Sequence, residues 1–136
     1  MVKKKVHVIS DIDGTLTTHP EFVGYNVSSN PCVIDFLQKK SEQGAHITYL
    51  SARNEFMRNH TLQWFEQNHV PQGNLLLDAP MSEQRGKIII PTLCQEDETC
   101  IYLDDNEKAR LAAKQALTNH IQVLDPSECD KFNKKT

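Results

Sequence analysis

A chain of 136 residues that is 38% hydrophobic and 24% charged has the length and apolar content of one compact domain, spanning 1–136, with its own core. Fifteen Lys and Arg against eighteen Asp and Glu leave a net charge of −3, so no global field drives the chain onto nucleic acid or an anionic membrane. No apolar run approaches the roughly 20 residues that a bilayer-crossing helix needs, so no transmembrane segment is expected.

In chain order, short apolar and often β-branched runs read as strands at residues 5–10 (KVHVIS), 46–50 (HITYL), 74–77 (NLLL), 99–103 (TCIYL) and 121–124 (IQVL). Helical periodicity fills the gaps. Residues 31–43 carry Val33, Ile34, Leu37 and Lys40 on one stripe, opened by Asn30 and Pro31 and closed by Gly44. Residues 54–68 align Met57, Thr61, Trp64, Phe65 and Asn68, and residues 106–118 align Ala109, Ala112, Ala113, Ala116 and Leu117. A fourth helix at 86–95 must hold Pro91 in its first turns or break there. Alternating strands and helices predict an α/β fold: a three-layer, Rossmann-like, doubly wound parallel sheet of about five strands.

The lysines at 3, 4 and 5 and at 131, 134 and 135 read as solvated tails. The cysteines at 32, 94, 100 and 129 form no CxxC pair and have no His at zinc-finger spacing, and the opening residues lead into a strand rather than a secretory apolar stretch. Reduced thiols and a cytoplasmic location are therefore expected, and the Asn26 and Asn59 glycosylation patterns are coincidental. Trp64 and Phe65 read as core packing, and His60, His69 and His120 as surface or helix residues.

In such a sheet, chemistry gathers beyond the carboxyl ends of the strands. Asp11 and Asp13 follow the first strand, Ser51 the second, and Asp104 with Asp105 the fourth, while Lys87 lies at the start of the preceding helix. Two adjacent carboxylates repel, and the usual relief is a shared proton or a divalent cation. A second acidic pair at the same edge favours the cation, and oxygen ligands without His or Cys favour magnesium. A cation, a Ser and a Lys together suit a phosphoryl group. A plainer use exists for each: Asp11 and Asp13 as a turn or cap, Asp104 or Asp105 as a helix cap, Ser51 as a turn cap. Arg85 or Arg53 could supply the cation in place of Lys87.

The stretch DIDGTLT, residues 11–17, resembles the first motif of the haloacid dehalogenase superfamily in the DxDGT form of its phosphatases. Ser51 after HITYL, Lys87, and IYLDD ending at Asp105 resemble the three further motifs in order. The resemblance implies a magnesium-dependent phosphomonoester hydrolase rather than a dehalogenase. It implies Asp11 as the nucleophile that becomes an aspartyl-phosphate, and Asp13 as general acid and base, its backbone carbonyl reaching the metal. Ser51 would bind a phosphoryl oxygen and Lys87 would neutralise charge. Asp105 would bind the metal directly and Asp104 through water, so the implied metal set is Asp11, Asp13, Asp104 and Asp105. Gly14, Thr15, Ala52 and Arg53 are the expected substrate-binding residues.

Members of this superfamily often carry a cap domain, but here the first gap holds only a flap around 18–30 with Gly24 as its turn, and the second only a helix, a strand and short loops. A capless site suits a phosphate on something large, such as a polynucleotide end. Residues Arg53, Thr61, Trp64, Pro71 and Leu75 are similar to the polynucleotide phosphatase domains of the kinase-phosphatase repair type, while YLSAR (49–53) and PQGNLLL (71–77) are similar to lipin-type phosphatidic acid phosphatases. A lipid or broad small-molecule phosphatase, a non-catalytic phosphate-binding module and a phosphotransferase are the alternatives.

Overall fold

In the first strand the neighbours Val8 and Ile9 are both fully buried although they point to opposite faces, which requires a sheet covered on both sides. The computed structural model describes residues 5–24, 26–117 and 120–134. Its strands are β1 (Lys5–Asp11), β2 (His46–Leu50), β3 (Asn74–Leu76), β4 (Glu98–Leu103) and β5 (Ile121–Leu124). All pair in parallel, in the order β3-β2-β1-β4-β5. The expected doubly wound α/β fold is the fold found.

Helix α1 (Pro31–Glu42) begins where the Asn30 side chain accepts from the Val33 N–H, with Pro31 in the first turn. Helix α2 (Arg58–Gln67) follows a 3-10 turn at Glu55–Met57 capped by Asn54. Together with α6 (Cys129–Asn133), these helices cover one face, where Val33, Phe36, Trp64 and Phe65 meet Val8, Ile47 and Tyr49. The other face carries α3 (Ser82–Gln84), α4 (Ile90–Leu93) and α5 (Glu107–Ala116), which bury Ile90, Ala109 and Ala113 against Ile9, Leu50 and Tyr102.

Between α3 and α4 the helix continues through a wider π turn, Arg85–Ile89, in which the Ile90 N–H donates to the Arg85 carbonyl. The wider winding relieves the clash that the Pro91 ring would make with the carbonyl four residues earlier. The helix thus starts before the expected residue 86 and keeps Pro91 near its end. Lys131 also departs from expectation: it lies in α6 and pairs with Glu128, while Phe132 of that helix meets Phe36 edge-on at 5.0 Å. Lys3, Lys4 and Lys135 lie outside the described residues.

The cysteines are paired, not free: Cys32–Cys129 ties α1 to α6, and Cys94–Cys100 ties the end of α4 to β4. This corrects the expectation of reduced thiols. Neither pair has CxxC spacing, because each is closed by tertiary packing that sequence spacing does not display.

Gly86 sits in the π turn directly against α5. A Cβ there would stand 2.1 Å from the Ala109 carbonyl oxygen and 2.7 Å from the Ala113 nitrogen, backbone atoms that cannot rotate away. Gly86→Ala should therefore cost about 2 kcal/mol or more through overpacking, read as a lower urea midpoint at unchanged slope.

Candidate active site

Strands β1 and β4 are neighbours although two strands, β2 and β3, separate them in sequence order, so the sheet winds in opposite directions from the cleft between them. Their register pairs Ser10 with Leu103. The next residues, Asp11 and Asp104, therefore emerge side by side, and Asp105 joins them: one carboxylate oxygen from each of the three lies within 4.8 Å of the others.

One guanidinium faces this charge. Arg85 donates through Nη1 to Asp11 Oδ1 at 2.7 Å and to Asp104 Oδ2 at 3.1 Å, and its Nε donates to the Pro80 carbonyl. Asp104 is held by several protein donors. Its Oδ2 also accepts from the Tyr102 hydroxyl, and its Oδ1 accepts the Asn106 N–H at 2.9 Å. Arg110 meanwhile donates to the Asp104 carbonyl. Asp11 is buried and accepts from the Thr15 hydroxyl at 3.3 Å. Burial first, then the charge of Asp104, pushes the Asp11 carboxyl well above the usual carboxylate range, and burial raises Asp105 as well. Three carboxylates against one arginine leave an excess of negative charge, and the oxygen-only donor set fits a hard divalent cation such as magnesium.

Asp13 stands apart from that cluster. Arg53 grips it with two hydrogen bonds, Nη2 to Oδ1 at 2.8 Å and Nε to Oδ2 at 3.0 Å. The third guanidinium nitrogen, Nη1, donates to Thr61, and the Phe22 ring of the flap lies 4.8 Å over the Arg53 guanidinium carbon. Ser51 is buried, and its Oγ accepts the Arg53 N–H, so the hydroxyl proton can still be donated.

These side chains line one open cavity of about 580 Å³, which takes in Asp11, Asp13, Ser51, Ala52, Arg53, Arg85, Asp104 and Asp105. Gly14 and Thr15 are behind this wall, not on it. Gly14 adopts a positive φ of +83°, and a Cβ there would fall 2.2 Å from an Asp105 oxygen, so glycine is what lets Asp105 close on the first motif. Lys87 is the displaced residue. It is exposed and lines a different cavity with Lys108, while Arg85 faces the carboxylates. Two positions along a helix turn a side chain to the opposite side, and the phase is set by the close contact of Gly86 with α5. From the sequence Tyr102 reads as one more apolar strand residue, and Phe22 as part of the flap.

The family model described as PITM 1-3, LNS2 domain, matches residues 8–119. No curated protein matches the chain. Among solved structures, the Pnkp1/Rnl/Hen1 complex superposes with a TM-score of 0.70 and 20% identity over 92% of this chain and 47% of that one. A second structure, titled as the Pnkp1/Rnl/Hen1 RNA repair complex, gives 0.69 and 20% over 90% and 43%. This chain thus spans about half the length of the chain that it matches there. A D,D-heptose 1,7-bisphosphate phosphatase from B. bronchiseptica, complexed with magnesium and phosphate, gives 0.62 at 12% identity, covering 97% and 99%. The class C acid phosphatase from Bacillus anthracis gives 0.60 at 17%, covering 99% and 80%. At these identities the likeness is one of fold. The chain belongs to the LNS2 domain family, and it shares its fold with the phosphatases on which it superposes.

Proposed function

We propose that the chain is a magnesium-dependent phosphomonoester hydrolase that works through an aspartyl-phosphate on Asp11. The observation that carries this reading is the buried Asp11, flanked by Asp104 and Asp105 and in contact with Arg85. Asp11, the Asp13 backbone carbonyl and Asp105 would hold the ion, with Asp104 behind it because its oxygens are already taken by Arg85, Tyr102 and Asn106. The ion supplies charge neutralisation, allowing a phosphate to approach a carboxylate.

An Asp11 oxygen attacks phosphorus as the ester oxygen leaves, and Asp13 gives that oxygen its proton. Asp13, ionised again, then takes a proton from the water that cleaves the aspartyl-phosphate. Arg85 and the Ser51 hydroxyl face the charge that spreads over the phosphoryl oxygens. Arg53, first expected to bind substrate, serves here as a positioning residue that fixes the Asp13 carboxylate by its bidentate grip.

The cavity is open, with no covering domain among the described residues, which suits a phosphate on a large substrate, and a polynucleotide end is the proposed one. The similarity of Arg53, Thr61 and Trp64 to polynucleotide phosphatase domains supports it, as does the fold shared with a protein of an RNA repair complex. A phosphate at a lipid surface is the second reading. It is favoured by LNS2 membership and by the apolar Val23, Phe56 and Met81, which are 60%, 94% and 59% exposed on the segments that border the cavity. Phosphate release from a 3′-phosphorylated oligonucleotide, phosphatidic acid vesicles, phosphopeptides and small sugar or nucleotide phosphates, compared by kcat/KM with magnesium, separates these. No magnesium-dependent release above Asp11→Asn from any of them would remove the hydrolase reading.

Arg85→Ala should lower kcat/KM by about 100-fold or more, whereas Lys87→Ala should stay within about twofold. The raised folded pKa of Asp11 means that it favours folding at acid pH and that this contribution is lost as pH rises through the folded value. At neutral pH without metal, Asp11→Asn should therefore be more stable than wild type by about 1 kcal/mol in thermal melts. Magnesium should raise the melting temperature of wild type but not of this variant.

A further inference from the structure

At the opposite, amino-terminal end of the sheet lies a second buried group of ligating side chains. His7 on β1 and Glu98 and Cys100 on β4 each offer one donor atom, all within 4.8 Å of one another. The disulfide holds Cys94 at the same place, with its Cα 6.1 Å from that of Cys100. His7 Nδ1 lies 3.1 Å from Glu98 Oε1, close to the edge of about 3.3 Å that a tetrahedral zinc ion sets between nitrogen and oxygen ligands.

The surroundings are those of a metal-binding histidine. His7 Nε2 is 2.7 Å from the Thr48 hydroxyl, which orients the ring and leaves Nδ1 to face the cluster. Glu98 Oε1 also accepts the Gln95 N–H at 3.0 Å. His46 stacks on His7 at 4.3 Å and 20°, and its Nδ1 lies 3.9 Å from Glu98 Oε2, so it covers the group from one side. A cavity of about 630 Å³, lined by His7, His46, Thr48 and Glu98 among others, gives an ion a way in.

We propose that reduction of the Cys94–Cys100 disulfide turns this cluster into a four-donor site, Cys94, Cys100, His7 and Glu98, for a thiophilic divalent cation of the zinc type. Disulfide and cation exclude each other, because the sulfurs must separate to about 3.8 Å to share a zinc ion. A dithiol reductant passes two electrons and two protons to the Cys94–Cys100 bond and itself becomes a disulfide. The two thiols so formed release their protons as they bind the cation as thiolates. The site is independent of the phosphatase reading, and its ligand set contrasts with the oxygen-only cluster around Asp11.

The test is a cobalt(II) titration of the full chain, reduced with a phosphine or left oxidised, with excess magnesium present to occupy the carboxylate cluster. Thiolate-to-cobalt charge-transfer absorption should appear in the reduced chain, saturate at one equivalent, disappear on adding zinc, and be at least about 100-fold weaker in affinity or absent in the oxidised chain. The Cys32→Ser/Cys129→Ser variant should keep the signal, and the Cys94→Ser/Cys100→Ser variant should lose it. Circular dichroism follows the fold throughout. Absence of the signal in the reduced chain, its persistence without Cys94 and Cys100, or a reduced chain that unfolds and is not refolded by cobalt or zinc would each overturn the proposal.

Discussion

The structure turns on the charge gathered where β1 and β4 end side by side. Parallel pairing forces Asp11 and Asp104 into one small volume, and Asp105 follows because the chain leaves β4 there. Burial disfavours ionised carboxylates and mutual repulsion adds to that, so the arrangement persists only because fixed donors face it. Arg85 bridges two of the three acids, Tyr102 and the Asn106 N–H hold Asp104, and Thr15 holds Asp11.

Much of the rest serves this balance. Arg85 reaches the carboxylates because Gly86 lets the π turn lie directly on the backbone of α5. Asp105 closes on the first motif because Gly14 has no Cβ to obstruct it. Asp13, two residues from Asp11, is kept out of the repulsion by its own arginine, and Phe22 from the flap covers that pair. The two acids of one short motif thus sit in different electrostatic surroundings.

The opposite end of the sheet shows contrasting chemistry. There the first residues of β1, β2 and β4 bring His7, Thr48, Glu98 and Cys100 together beneath the stacked ring of His46. Imidazole, carboxylate and sulfur at one end and carboxylates alone at the other put two different donor sets on the same two strands, β1 and β4.

Strand positions were legible because β-branched apolar runs bounded by turn residues have few other uses. The runs at 46–50 and 121–124 became β2 and β5 without change of bounds. Asn30 and Pro31 likewise marked the start of α1 through capping chemistry that needs only local residues. The acids of the site were legible too, because Asp11, Asp13, Asp104 and Asp105 each follow a strand whose end the sequence marks. What depended on contacts distant in sequence was not legible. Whether Arg85 or Lys87 faces the acids depends on helix phase, which Pro91 and the packing of Gly86 on Ala109 decide. Cys32 and Cys129 are 97 residues apart, and His7 meets Glu98 only through strand order. The sequence by itself determined the fold class and the acids at the strand ends, because periodicity and motif spacing are local properties. Only the tertiary structure decided which cation meets those acids and which cysteines meet each other, because both depend on how distant segments pack.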